Sequence, residues 1–143
     1  MNVIRQDAGI EPAELPTLTP PVARQSSPVH RVLVVEDNAD LRHLVCELLQ
    51  TFGHHVQPAA SAEEALDCIG TASFDVLLTD VRLPGMSGID LARRIRASTP
   101  QTHVIFASGY GNVLSANIEF PAHSLAKPYD IDQLQALLTL LRH

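Results

Sequence analysis

From Arg31 onward, short apolar runs rich in β-branched residues alternate with longer stretches whose apolar residues recur at helical spacing. That alternation leaves few folds open. Arg31-Val32-Leu33-Val34-Val35 is apolar almost throughout, as a strand buried on both faces of a parallel sheet must be. Leu41, Leu44, Val45, Leu48, Leu49 and Phe52 then mark one face of a helix, which Gly53 ends. His55-Val56-Gln57 reads as a weak second strand. Ser61-Ala62-Glu63-Glu64 is a capping box opening a helix that runs through Ile69. Residues 74–79 form a third apolar run, and Ile89, Ala92 and Ile95 mark a helix that stops before Pro100. A fourth strand is expected at 103–107, a short helix within 112–121, and a fifth strand at 123–126. Asp130 caps a last helix carrying Ile131, Leu134, Leu137, Leu138 and Leu141. Five strands alternating with helices predict an α/β fold: a doubly wound parallel sheet with helices on both faces.

The first 29 residues are different. They hold five of the ten prolines (Pro12, Pro16, Pro20, Pro21 and Pro28) and few large apolar residues. Such a stretch buries too little surface to offset its ordering entropy, so 1–29 is expected to be a disordered tail and 30–143 the folded domain. At 143 residues the chain suits one domain with one substantial core. A net charge of −6, with the basic residues scattered, opposes a nucleic-acid-binding surface. The densest basic run, Arg93, Arg94 and Arg96, reads as a solvated helix face. No apolar run approaches the roughly 18–20 residues of a membrane span, and the N-terminus lacks a secretory pattern. Cys46 and Cys68 fall inside helical stretches, so free thiols in a reduced, cytoplasmic setting are expected.

On a doubly wound sheet, ligands bind beyond the carboxyl ends of the strands. Glu36 and Asp37 follow the first strand, Asp80 the third, Ser108 the fourth and Lys127 the fifth. The fold would therefore gather three carboxylates, a hydroxyl and an ammonium from distant parts of the chain. Two like charges about 4 Å apart repel by about 4 kcal/mol at an effective dielectric of about 20, so clustered acids call for a cation. Oxygen ligands with room for water suit Mg²⁺. A carboxylate such as Asp80 can act as a nucleophile toward phosphorus, and a lysine can supply a point charge to phosphoryl oxygens.

Four segments carry a resemblance to a known family. They are Val34-Val35-Glu36-Asp37-Asn38, residues 78–88 (Leu78-Thr79-Asp80-Val81-Arg82 through Pro84-Gly85 to Gly88), Ala107-Ser108-Gly109 and Lys127-Pro128. In this order they resemble the signature of response-regulator receiver domains of two-component signalling, over about residues 30–142. The resemblance implies a flavodoxin-like fold with strand order 2-1-3-4-5 and Mg²⁺ as cofactor. It makes Asp80 the phosphoacceptor, Asp37 a direct metal ligand, and Glu36 an acid reaching the metal through water. Arg82 would add its backbone carbonyl to the metal shell. Ser108 would be the hydroxyl that moves toward the phosphoryl group, Lys127 its ammonium partner, and Lys127-Pro128 a cis peptide. The implied partners are a histidine kinase or a histidine phosphotransfer protein, then a downstream protein or a second copy in a homodimer. The role is a signalling domain that catalyses only its own phosphorylation and dephosphorylation.

The chain departs from the family pattern where an aromatic switch residue usually stands, three positions before Lys127: here it is Ser124. Phe106-Ala107-Ser108-Gly109-Tyr110 is similar to a receiver subgroup with a Phe-Ala-Thr-Gly-Tyr motif, also found attached to hybrid kinases, and offers Tyr110 as the reporter of Ser108 movement. Leu137, Leu138, Leu140 and Leu141 form an apolar band broad enough to serve a partner. No output segment is expected after the last helix. Each site residue also has a plainer reading: Asp37 and Asn38 as N-caps, Asp80 as a turn residue, Ser108-Gly109 as a turn, Lys127 as a loop lysine. Gly85 and Gly88 suggest backbone freedom, and His54 and His55 exposed loop positions. Two other functions compete, one sharing the chemistry and one the architecture. A phosphohydrolase with an Asp nucleophile usually places a second Asp two residues on, where this chain has Arg82. A flavin carrier would want a hydroxyl-rich phosphate loop where this chain has Glu36-Asp37.

Overall fold

The structure, a computed structural model, describes residues 28–109 and 118–141. Five strands form one parallel sheet: β1 Arg31–Val35, β2 His55–Ala59, β3 Val76–Asp80, β4 His103–Ser108 and β5 His123–Ala126, in the order β2-β1-β3-β4-β5. Among the described residues there are four helices: α1 Ala39–Thr51, α2 Ala62–Ile69, α3 Gly88–Ser98 and α4 Ile131–Leu140. This is the expected doubly wound, flavodoxin-like arrangement.

Strand periodicity sorts the core into two layers. Val32, Val34, Val76, Leu78, Ile105 and Ala107 face one side, where they meet Val45 and Leu49 of α1 and Leu134 and Leu138 of α4. Leu33, Val35, Leu77, Val104 and Phe106 face the other, against Ala62 and Ala65 of α2 and Leu91, Ala92 and Ile95 of α3. Central strands must be apolar at every position because both faces are covered. Each fully buried Leu or Ile is worth about 1.5–3 kcal/mol over its exposed state.

The helix starts follow their caps. Asn38 accepts from the Leu41 N–H and Ser87 from the Asp90 N–H. Asp130 and Gln133 form a reciprocal capping box. At Ser61 the box is shifted by one residue: Ser61 accepts from the Glu64 N–H, but the Glu64 carboxylate takes the N–H of Ala60.

Several expectations change. β3 begins at Val76 and includes Asp80, so that carboxylate leaves the last residue of a strand. β2 extends through Pro58 to Ala59, which an edge strand allows. His54 is buried, not exposed: its Nδ1 accepts from the His30 N–H at 3.1 Å and its Nε2 lies 3.0 Å from Gln135 Oε1, while His55 is exposed. The apolar band on the last helix shrinks, because Leu138 and Leu141 are core and only Leu140, 75 % exposed, stands free of it. Arg93 and Arg94 are exposed, as a solvated face requires, while Arg96 is half-buried. Arg93 bridges Asp90 and Glu119, and Arg96 lies over the Phe120 ring and donates to the Thr102 carbonyl. Of the short helix expected within 112–121, residues 110–117 lie outside the described residues. Residues 118–121 are not helical, and Ile118 and Phe120 pack on the second core layer. The tail expectation falls on residues 1–29, of which only the last two are described. His30, the first residue of the expected domain, is already fully buried. No described helix is long and apolar enough to cross a membrane.

Candidate functional site

Strand order 2-1-3-4-5 means that the chain leaves β1 toward one edge and returns to its other side. The crevice at that reversal lies between the carboxyl ends of β1 and β3. The tips there are tied to each other beyond the strands: Glu36 N–H to Ala59 O at 3.1 Å, Val81 N–H to Ala107 O at 3.3 Å, and Lys127 N–H to Ser108 O at 2.8 Å. The backbone under the site is therefore an extension of the sheet.

Lys127 sits between two carboxylates. Its Nζ is 2.7 Å from Asp80 Oδ1 and 2.9 Å from Glu36 Oε1. The other Glu36 oxygen accepts the Asn38 N–H at 3.0 Å. Glu36, Asp37 and Asp80 each offer an oxygen, all within 4.8 Å of one another; Glu36 is buried, Asp80 half-buried and Asp37 exposed. A cavity of about 150 Å³, lined by Asp80, Arg82, Ala107, Ser108, Gly109 and Lys127, opens beside them. Water needs only about 10–15 Å³ of such space, so a phosphoryl group and several waters fit. The Lys127-Pro128 peptide is cis.

The charges divide unequally. Burial pushes the Asp80 carboxyl up to about 6; Lys127 opposes the shift and the neighbouring Glu36 charge adds to it. Burial also raises Glu36, but its bonds from Lys127 and from the Asn38 N–H outweigh that, and its pKa ends below the usual carboxylate range. Burial would lower Lys127, yet its hydrogen bonds to Asp80 and Glu36 raise it. Two acids share one ammonium, and the proton prefers Asp80.

Groups that the sequence did not single out hold this arrangement. Thr79 Oγ1 donates to the Asp80 carbonyl at 2.9 Å. Arg42 Nη1 donates to the Glu36 carbonyl at 2.8 Å. Glu63 of α2 accepts the Met86 N–H at 3.2 Å, fastening the loop after Asp80. Gly85 in that loop has φ +78°, where only glycine is unstrained. Gly88 serves a different purpose from the backbone freedom expected of it. A Cβ there would lie 1.9 Å from the Asp80 carbonyl oxygen, so it is proximity that demands glycine. A helical pattern starting at residue 88 gave no sign that it begins against a strand tip.

The expected residues Glu36, Asp37, Asp80, Arg82, Ser108 and Lys127 thus meet at one crevice. Tyr110 lies outside the described residues.

The sheet order and this crevice define a class of signalling domain, and comparison with known proteins agrees. The family profile described as "Response regulator receiver domain" matches residues 32–139. The chain is 33 % identical over 107 residues to the response regulator receiver protein CpdR of Brucella abortus, covering 73 % of this chain and 89 % of that protein. It is 31 % identical over 108 residues to sporulation initiation phosphotransferase F of Bacillus subtilis, covering 73 % of this chain and 87 % of that one. Among solved structures, the chemotaxis response regulator CheY4 of Vibrio cholerae superposes with a TM-score of 0.70 at 26 % identity, over 78 % of this chain and 97 % of that one. The chain belongs to the response regulator receiver domain family and is a module of two-component signalling.

Proposed function

We propose that the protein accepts a phosphoryl group on Asp80 from a phosphohistidine of a histidine kinase or a histidine phosphotransfer protein. One observation carries this reading above the others: Lys127 Nζ stands 2.7 Å from Asp80 Oδ1, beside the three-carboxylate cluster and the 150 Å³ cavity. In the step, an Asp80 carboxylate oxygen forms a bond to phosphorus as the P–N bond to the donor imidazole breaks, and the imidazole leaves with the electron pair. Lys127 lies where it can pair with phosphoryl oxygens, and Ser108, on the cavity wall, can donate to one of them.

The donor set fits Mg²⁺, being oxygen-only and close-packed. Glu36, Asp37 and Asp80 would hold the ion, with the Arg82 carbonyl completing the protein ligands. When bound, it supplies positive charge against the phosphoryl oxygens. The protein's own chemistry ends with its phosphorylation and dephosphorylation, and the signal passes onward by contact with a downstream protein or a second copy. Residues 1–29 lie outside this module. The reading places the protein in the cytoplasm, with no nucleic-acid or membrane contact in its role.

The test is chemical. Protein incubated with Mg²⁺ and a small acyl phosphate, then reduced with borohydride, should carry homoserine at position 80 by peptide mass spectrometry. Label at any other carboxylate, or labelling of Asp80→Asn to the parent level, would overturn the assignment.

A further inference from the structure

We infer that Arg42 is a positioning residue for the metal loop: it sets divalent-cation affinity by holding the Glu36–Asp37 peptide, without touching the ion. The inference rests on the reading of Glu36, Asp37 and Asp80 as the cation ligands.

The fold leaves one acceptor over at the end of β1. Glu36 follows the last residue of β1, and α1 begins only at Ala39 behind the N-cap Asn38. Its carbonyl therefore belongs to neither the strand β1 nor the helix ladder, and a buried carbonyl needs a donor. Arg42 provides one. It lies one turn inside α1, and helical side chains lean toward the N-terminus, which brings Nη1 to 2.8 Å from Glu36 O. That carbonyl shares its peptide plane with the Asp37 nitrogen. Glu36 is also held at its N–H by the Ala59 carbonyl, at Oε2 by the Asn38 N–H and at Oε1 by Lys127. With the carbonyl clamped too, the peptide plane from which Asp37 departs is held at its oxygen as well as through Glu36. Without Arg42 that carbonyl loses this donor, and the plane between two of the three ligands is held through Glu36 alone.

The guanidinium has a second, opposed effect. It is a fixed positive charge near the cluster and repels a cation. The two effects predict opposite signs for its removal, so one experiment separates them. Outer hydrogen-bond partners of metal sites typically govern affinity by about 10–100-fold. The charge effect on a half-exposed group is screened over about 8 Å at physiological salt. Positioning should win.

Arg42→Met keeps the helix propensity and most of the stem while losing both donor and charge. Mg²⁺ titration followed by calorimetry should show about tenfold weaker binding than in the parent, with Arg42→Lys recovering part of the loss. In the metal-free proteins, amide hydrogen exchange at Asp37 and Asn38 should quicken in Arg42→Met, with α3 and α4 unchanged. Unchanged or tighter Mg²⁺ binding in Arg42→Met, or exchange that rises equally throughout the domain, would overturn the role. A parent that fails to bind Mg²⁺ would instead overturn the cation site itself, and Arg42's role with it.

Discussion

The backbone N–H of His30 donates to Nδ1 of His54 at 3.1 Å, and the two rings stack with centroids 5.6 Å apart. This fixes both tautomers. His54 Nδ1 is an acceptor, so its proton is on Nε2, facing Gln135 Oε1 at 3.0 Å. His30 Nε2 lies 2.8 Å from the Leu138 carbonyl and must be its donor. Two histidines thereby fasten the chain ahead of β1 and β2 to α4, at the end of the sheet away from the site. His54→Leu leaves the buried His30 N–H without this acceptor, and such a loss costs about 1–3 kcal/mol. Urea unfolding should show a loss of about 2 kcal/mol, while Asp80 labelling of the folded protein stays at the parent level.

Asp80→Asn should stabilise the metal-free protein. The Asp80 carboxyl is raised from 3.8 to about 6 on folding. A raised acid binds its proton more readily in the folded state, so its contribution is most favourable below pH 3.8 and is lost as pH rises through 6. At pH 7.5 the charge is therefore a burden that Asn removes. Taken alone the displacement amounts to at most roughly 3 kcal/mol, and the opposite displacement of Glu36 and the weakened pairing with Lys127 leave the net gain smaller than that. Thermal melts should show the variant ahead at pH 7.5, the difference shrinking as pH falls below 6 and closing near pH 3.8. Added Mg²⁺ should raise the melting temperature of the parent more than that of the variant.

Mg²⁺ affinity should fall in acid. Below pH 6 a proton on Asp80 must leave before the ion is held, which weakens binding by up to about tenfold per pH unit. The chain has two tyrosines and no tryptophan, and Tyr129 is close enough to the site to feel Lys127, Glu36 and Asp80. Tyrosine emission is therefore the signal to follow in the titration. Flat affinity between pH 7 and 5 would show that Asp80 does not compete as described. Asp37→Ala should weaken binding more than Glu36→Ala, because Glu36 is already bound to Lys127 and Asn38.

Lys127→Met should separate binding from chemistry. It removes the ammonium that shares Asp80 and Glu36 with the cation, so Mg²⁺ should bind several-fold more tightly. Labelling of Asp80 should slow, since the phosphoryl oxygens lose their point charge. Tighter binding with undiminished labelling would remove Lys127 from the transfer step.

Much of this was readable in the sequence because the signals are local. The β-branched runs of β1 and β4 and the caps at Asn38 and Asp130 each lie within a few residues of what they specify. The site was readable because strand tips of a doubly wound sheet converge, whatever their separation along the chain. Less visible were features created by contacts distant in sequence. The burial of His54 depends on Gln135, 81 residues away. Arg42 sits among polar residues of an amphipathic helix, where an arginine reads as solvated, and only the fold reveals the stranded carbonyl in front of it.

The two glycines that follow Asp80 have different mutational futures. Gly85 is held by its torsion, φ +78°, and the nearest neighbour of an added Cβ is the flexible Glu63 carboxylate; asparagine or aspartate can occupy such a torsion at modest cost. Gly88 faces the Asp80 carbonyl itself, and no rotamer relieves a clash made by the first atom of any side chain. A saturation library selected for folding would therefore return a small alphabet at 85 and a single letter at 88. Drift can rewrite the loop between them, but the point where α3 meets the Asp80 backbone is closed to it.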